Sequence, residues 1–262
     1  MVSLDLWFAI SALLFGAILG SFLNALSFRF NTGRSIAKGR SRCMSCGHEL
    51  GALDLIPIVS YLFLGGRCRY CGTKISIQYP LVEAAAALLS LLVFLANPEP
   101  LAYLYQLLVW MTLLFIVVYD VRHTVIPWSA SGLLALLAFG SLFISFDHSA
   151  LFFYQPTSLD VLAGPLLALP LFLLSLVSRG RWMGWGDAPL ELSLAWLLGL
   201  TAGLTALMLS FWIGAAVGIL LMLGKKGLTM KSELPFAPFL VLGAFVAYFF
   251  HVDFFQTLPL LW

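Results

Sequence analysis

Eight long apolar runs separated by short polar stretches organise this chain, at about residues 5–28, 80–96, 101–119, 129–146, 159–178, 187–202, 204–224 and 236–256. Each approaches the roughly 20 residues that a helix needs to cross a bilayer. The sixth and seventh meet at Gly199-Leu200-Thr201-Ala202-Gly203, the least marked of the breaks. The only sizeable polar segment is 29–79. The pattern predicts an all-α polytopic membrane protein of about eight transmembrane helices. It divides into a first helix at 1–28, a loop at 29–79 and a transmembrane core at 80–262. No basic residue precedes the first run, which lacks the positive start of a cleaved secretory signal and is expected to be retained.

Composition agrees. Of 262 residues, 61% are hydrophobic and 10% charged, against about a quarter charged in soluble domains. The 14 Lys and Arg fall in four places. Eight lie in 29–79, Arg122 follows the third run, Arg179 and Arg181 the fifth, and Lys225, Lys226 and Lys231 the seventh. With eight spans these segments alternate, so all four lie on one side. The other side carries Asp5, Glu99, Asp147, Asp160 and Asp253 and no basic residue. The positive-inside rule then puts the basic loops in the cytoplasm and both termini outside. Topology accounts for the basic residues, so no nucleic-acid partner is expected; the partner implied by the runs themselves is membrane lipid.

The polar loop holds all four cysteines, as Cys43-Met44-Ser45-Cys46 and Cys68-Arg69-Tyr70-Cys71. Two CxxC pairs with 21 residues between them match the spacing of a tetrahedral zinc site. Gly47 and Gly72 follow the pairs, where tight turns need a permissive backbone. A cytoplasmic loop argues against disulfides, and one this small draws stability from a bound metal. Four thiolate ligands leave no open coordination position, so the zinc is structural.

Two aspartates close apolar runs. Asp120, in Tyr119-Asp120-Val121, ends the third; Asp187, in Gly184-Trp185-Gly186-Asp187, begins the sixth. Both are thereby expected at the cytoplasmic edge of the bilayer, where ionisable residues are costly and functional by default. Two neighbouring carboxylates cannot both ionise easily, so they share a proton. One can then deprotonate a water while the other protonates the leaving amine. Gly184 and Gly186 allow close approach of an unwound substrate strand. Glu83, just inside the second run, and Glu191, one helical turn beyond Asp187, are candidate supporting residues. His123 reads as a loop residue.

These motifs, in order, resemble the type IV prepilin peptidases, the leader peptidases of type IV pilus and type II secretion systems. The series runs Gly20-Ser21-Phe22-Leu23-Asn24, the two cysteine pairs with Asp54-Leu55-Ile56-Pro57-Ile58-Val59-Ser60-Tyr61 between them, Gln78-Tyr79-Pro80-Leu81-Val82-Glu83, the aspartate motifs, and Leu234-Pro235-Phe236-Ala237-Pro238-Phe239. The resemblance implies an intramembrane aspartyl protease of the bacterial inner membrane, active at its cytoplasmic face. Its substrates would be prepilins or pseudopilins, cleaved after a glycine that precedes a hydrophobic helix. It implies Asp120 and Asp187 as the catalytic pair and Cys43, Cys46, Cys68 and Cys71 as zinc ligands. It further implies N-methylation of the new amino terminus, with S-adenosylmethionine as donor.

Two positions depart from the family pattern. Pro189 stands where a lysine is common two residues after the GxGD aspartate, and Trp128 where Asp or Asn often follows Ile-Pro. Neither removes a carboxylate, and proline is acceptable in the first turn of a helix. A presenilin-like protease would lack the cysteine loop, and a transporter would carry polar groups near the midplane. The alternative from another class is a membrane zinc-loop methyltransferase or assembly factor without proteolytic activity.

Overall fold

A computed structural model describes residues 2–32, 40–147, 150–224 and 234–256. Arg34, Lys38, Lys225, Lys226 and Lys231 of the expected basic loops lie outside these residues. The chain is mostly helical, as its sequence pattern predicts, and divides into two compact units, Met1–Val118 and Tyr119–Trp262.

The first unit holds α1 (Val2–Arg29), the cysteine loop with its short α2 (Val59–Phe63), α3 (Gln78–Ala96) and most of α4 (Pro100–His123). Helices α1 and α3 pack closely because α1 carries small residues four apart. A Cβ at Gly16 would lie 2.5 Å from Ala86 O, and one at Gly20 would lie 2.7 Å from Glu83 Cα. Such small-residue faces let helices associate in lipid, where hydrophobic burial offers little drive. Polar bonds cross the same seam: Ser90 Oγ donates to Ala12 O at 2.6 Å, and Asn24 Nδ2 to Tyr79 O at 3.1 Å.

The second unit holds the end of α4, α5 (Trp128–Ser141), the hairpin β1 (Ile144–Asp147) and β2 (Ala150–Phe153), α6 (Ser158–Ser178), α7 (Asp187–Leu198), α8 (Leu200–Gly224) and α9 (Ala237–Phe250). Helix α7 packs against α5, α6, α8 and α9. Its Leu190, Leu194 and Ala195 are fully buried. Glycine again sets the close approaches: Gly164 of α6 lies against Trp196, whose Nε1 donates to Val161 O at 3.0 Å.

Among the described residues five helices are long and apolar enough to cross a membrane: Leu6–Arg29, α3, α4, α6 and α8. Helices α5, α7 and α9 have 14, 12 and 14 residues. At 1.5 Å per residue these reach only about 18–21 Å, short of a hydrocarbon core of about 30 Å.

Three boundaries differ from the sequence expectation. The run 129–146 is helical only to Ser141; Ile144–Asp147 pairs antiparallel with Ala150–Phe153. A short apolar stretch does not reveal by itself whether it is strand or helix. The break before α8 falls at Gly199, whose φ of +81° ends α7, so α8 starts at Leu200 rather than 204. The last helix stops at Phe250, where His251 takes the left-handed conformation.

Candidate functional site

Asp120 lies in the last turn of α4 and Asp187 is the first residue of α7. Both carboxylates are buried, with 4% and 5% exposure, and stand close enough for their charges to interact. Asp120 accepts from the backbone N–H of Ala237, the first residue of α9. Its other oxygen, Oδ2, is buried with no partner. Helix N-termini offer unpaired N–H groups and a positive dipole end, which suits an acidic side chain.

The segment ahead of Asp187 is folded tightly onto α6. Arg179 and Gly180 both take positive φ, and Gly180 N–H returns to Ser175 O at 2.8 Å, ending α6 with an abrupt turn. Ser178 then accepts from Trp182 N–H through Oγ and from Arg181 Nε through its carbonyl, both at 3.2 Å. Ser175 Oγ donates to Gly184 O at 3.1 Å. These bonds hold Gly184 where its N–H donates to Asp187 Oδ2 at 2.9 Å. A Cβ at Gly186 would lie 2.7 Å from Ile126 Cβ, so this glycine is required by contact with the loop after α4.

The remaining candidates separate. Glu191 is buried one turn along α7, at 1% exposure, with Oε1 unpartnered. Glu83 belongs to the first unit, where its Oε2 accepts from Ile58 N–H at 2.7 Å. Sequence reasoning missed Ala237 N–H, Ile126 and the two serines of α6. Only the prolines flanking Ala237 hinted that a helix begins there.

In the first unit the four cysteines converge, their sulfurs all within 4.8 Å of one another. Each CxxC forms the same turn. Gly47 N–H donates to Cys43 O and Gly72 N–H to Cys68 O, both at 2.9 Å, with φ of +71° and +70° at the glycines. Cys43 Sγ and Cys71 Sγ are 3.8 Å apart. Four sulfurs at about 2.3 Å from a tetrahedral zinc would be separated by about 3.8 Å, so the donor set fits that ion. The N–H groups of Cys46 and Ser45 lower the Cys43 thiol, and the Thr73 hydroxyl and N–H lower Cys71 to about 6. Although the His48 N–H lowers it, burial and the Cys43 and Cys71 thiols push Cys46 up to about 11. A divalent cation reverses such thiol–thiol crowding.

Beside this cluster a cavity of about 370 Å³ opens, lined by residues including Phe28, Arg29, Tyr61, Arg69, Tyr79 and Glu83. That volume suits a small organic ligand, and the lining offers aromatic faces, cations and a buried carboxyl.

Comparison with known proteins follows the same division. Residues 14–97 match the bacterial peptidase A24 N-terminal domain. A prepilin leader peptidase/N-methyltransferase of Dichelobacter nodosus is 31% identical, over 80% of this chain and 71% of its own. That of Bacillus subtilis is 32% identical, over 90% and 92%, and that of Pseudomonas aeruginosa 32%, over 94% and 92%. No solved structure matches the chain. Identity at this level, over most of both partners and through both units, establishes that the chain belongs to the prepilin leader peptidase/N-methyltransferase family.

Proposed function

We propose that this chain cleaves the basic leader from type IV prepilins or secretion pseudopilins at the cytoplasmic face of the bacterial inner membrane. Asp120 and Asp187 act as the proton-sharing pair. The observation that carries this reading is the placement of two buried, interacting carboxylates at the meeting of α4, α7 and α9. The ionised member takes a proton from water as the water oxygen attacks the scissile carbonyl carbon. The protonated member gives its proton to the carbonyl oxygen. Collapse of the tetrahedral centre breaks the C–N bond, and the leaving amine takes a proton from the pair. Ala237 N–H and Gly184 N–H each hold one carboxylate in place, which fixes the geometry before substrate arrives.

The same chain is proposed to N-methylate the amine that cleavage exposes. S-adenosylmethionine supplies an electrophilic methyl group on sulfur. The cavity beside the thiols would hold it, with Tyr61 and the stacked Phe28–Tyr79 pair offering aromatic surface to the base or the sulfonium, Arg29 a cation for the carboxylate, and Glu83 a carboxyl. Zinc in the four-thiol site would be structural, tying together the loop that roofs this cavity. Mass spectrometry of a candidate pilin amino terminus, from cells with and without this protein, tests both activities together. Full-length pilin in both strains would refute the proteolytic reading and favour the methyltransferase or assembly factor. Cleaved but unmethylated pilin would refute the second activity alone.

A further inference from the structure

We infer that residues 55–63 of the cysteine loop fold back into the membrane interface and set Val59, Leu62 and Phe63 against lipid. Depth is fixed by Glu83, which accepts from Ile58 N–H at 2.7 Å. Glu83 lies five residues past the start of α3, about 7 Å along the helix axis. Helix α3 has 19 residues, about 28 Å of rise, so spanning a hydrocarbon core of about 30 Å uses its whole length. Its start therefore lies at the interface and Glu83 within the bilayer. Helix α1 likewise extends well beyond this level. Gly20 meets the Glu83 backbone, and the Ser21 side chain bonds its carboxyl. Gly20 is nine residues before Arg29, about 13 Å short of the basic end of α1. Ile58 is thus bonded to a group that lies below the ends of both helices.

The segment has the chemistry this depth demands. From Leu55 to Gly66 no residue is charged, while Asp54 precedes it and Arg67 and Arg69 follow. Asp54 and Arg69 pair at 2.8 Å, closing the neck of the excursion on the water side. Backbone polar groups must find internal partners in lipid. The N–H groups of Ile58, Ser60, Leu62, Leu64, Gly65 and Gly66 all have partners, and Pro57 has none to satisfy. Yet Val59, Leu62 and Phe63 are 44%, 69% and 88% exposed. Ile58 itself holds φ +63° and ψ −51°, strained for a β-branched residue. The bond to Glu83 is what holds it there. Lipid is continuous with the apolar outer faces of α1 and α3 at this level, and covers the exposed side chains without requiring a second macromolecule. This inference is independent of the catalytic assignment.

The test places the photoreactive residue p-benzoylphenylalanine at position 63 of the full-length protein in native membranes, and separately at exposed Met44 on the zinc knuckle. Phe63 is so exposed that its replacement disturbs no packing. Irradiation should attach phospholipid at position 63 and not at 44. A fluorescent amino acid at the same positions, in vesicles of phosphatidylglycerol and phosphatidylethanolamine with shallow spin-labelled chains, should be quenched at least twofold more at 63. Crosslinking of position 63 to a second copy or to another protein, or equal quenching at the two positions, would overturn the inference.

Discussion

Gly184 N–H and Asp187 Oδ2 are 2.9 Å apart, so the first glycine of the GxGD motif is a hydrogen-bond donor to its own aspartate. The two glycines serve different ends. A Cβ at Gly184 would sit 3.1 Å from that same oxygen, a contact relieved by a few tenths of an ångström. A Cβ at Gly186 would sit 2.7 Å from Ile126 Cβ, which only backbone movement relieves. Gly184→Ala should therefore fold normally and lose about tenfold in cleavage. Gly186→Ala should lower the melting temperature and lose about 10²-fold or more, the scale of a 1 Å misplacement. Ile126→Ala leaves the clashing Cβ in place and should not rescue it; Ile126→Gly should in part. Cleavage rates and melting curves of the four variants check this ranking.

Cys43→Ser or Cys71→Ser should release zinc and open the loop to protease, since each thiolate completes a four-coordinate site. Acid should act the same way. Protons compete with the ion for all four thiolates, so bound zinc is lost as pH falls. Metal content measured against pH should decline on acidification, not on alkalinisation. Purified protein free of zinc under reducing conditions would contradict the site. Because the thiols lie in the first unit and both aspartates in the second, cleavage should survive the cysteine substitutions better than methylation. The reverse ranking would count against separate sites.

What was legible in the sequence was local. CxxC spacing with a following glycine specifies a knuckle, because the turn closes within five residues, and the structure brings the four sulfurs together. One aspartate at the end of the third apolar run and another at the start of the sixth predict a shared level, and Asp120 and Asp187 do stand near one another. Bonds made across long stretches of chain left no such trace. Ala237 reaches Asp120 from 117 residues away and Ile126 meets Gly186 from 60 away. The Ile58–Glu83 bond was hidden because neither an isoleucine in a loop nor a lone glutamate announces the other. The β1–β2 hairpin was absorbed into an apolar run, since hydrophobicity alone does not encode its period.

The distribution of basic residues makes a topological prediction. A single cysteine at position 39 and another at 148, each in a background lacking the native cysteines, should label from opposite sides of the membrane. Both positions lie outside the described residues, so the expectation rests on charge alone. Impermeant maleimide should reach position 148 in intact cells and position 39 only after the inner membrane is opened. Equal access from outside would exclude the eight-span arrangement.

Asp120→Asn and Asp187→Asn should each abolish prepilin cleavage while leaving the protein folded and inserted. Asn preserves shape and can still accept from Ala237 N–H or Gly184 N–H through its carbonyl oxygen. It cannot take a proton from water and return it. General acid–base catalysis contributes about 10²–10⁴-fold per group. A pair that shares one proton works as a unit, so the losses are not additive and the double variant should be little worse than either single one. Asp147→Asn, on β1, is the control for a carboxylate outside the pair and should cleave normally. Glu191→Gln separates the pair from its buried neighbour on α7: a supporting residue outside the proton-sharing pair should keep cleavage within tenfold of wild type. Processing at near the wild-type rate by either Asp120→Asn or Asp187→Asn, in protein shown to be inserted, would exclude the aspartate pair as the proteolytic centre.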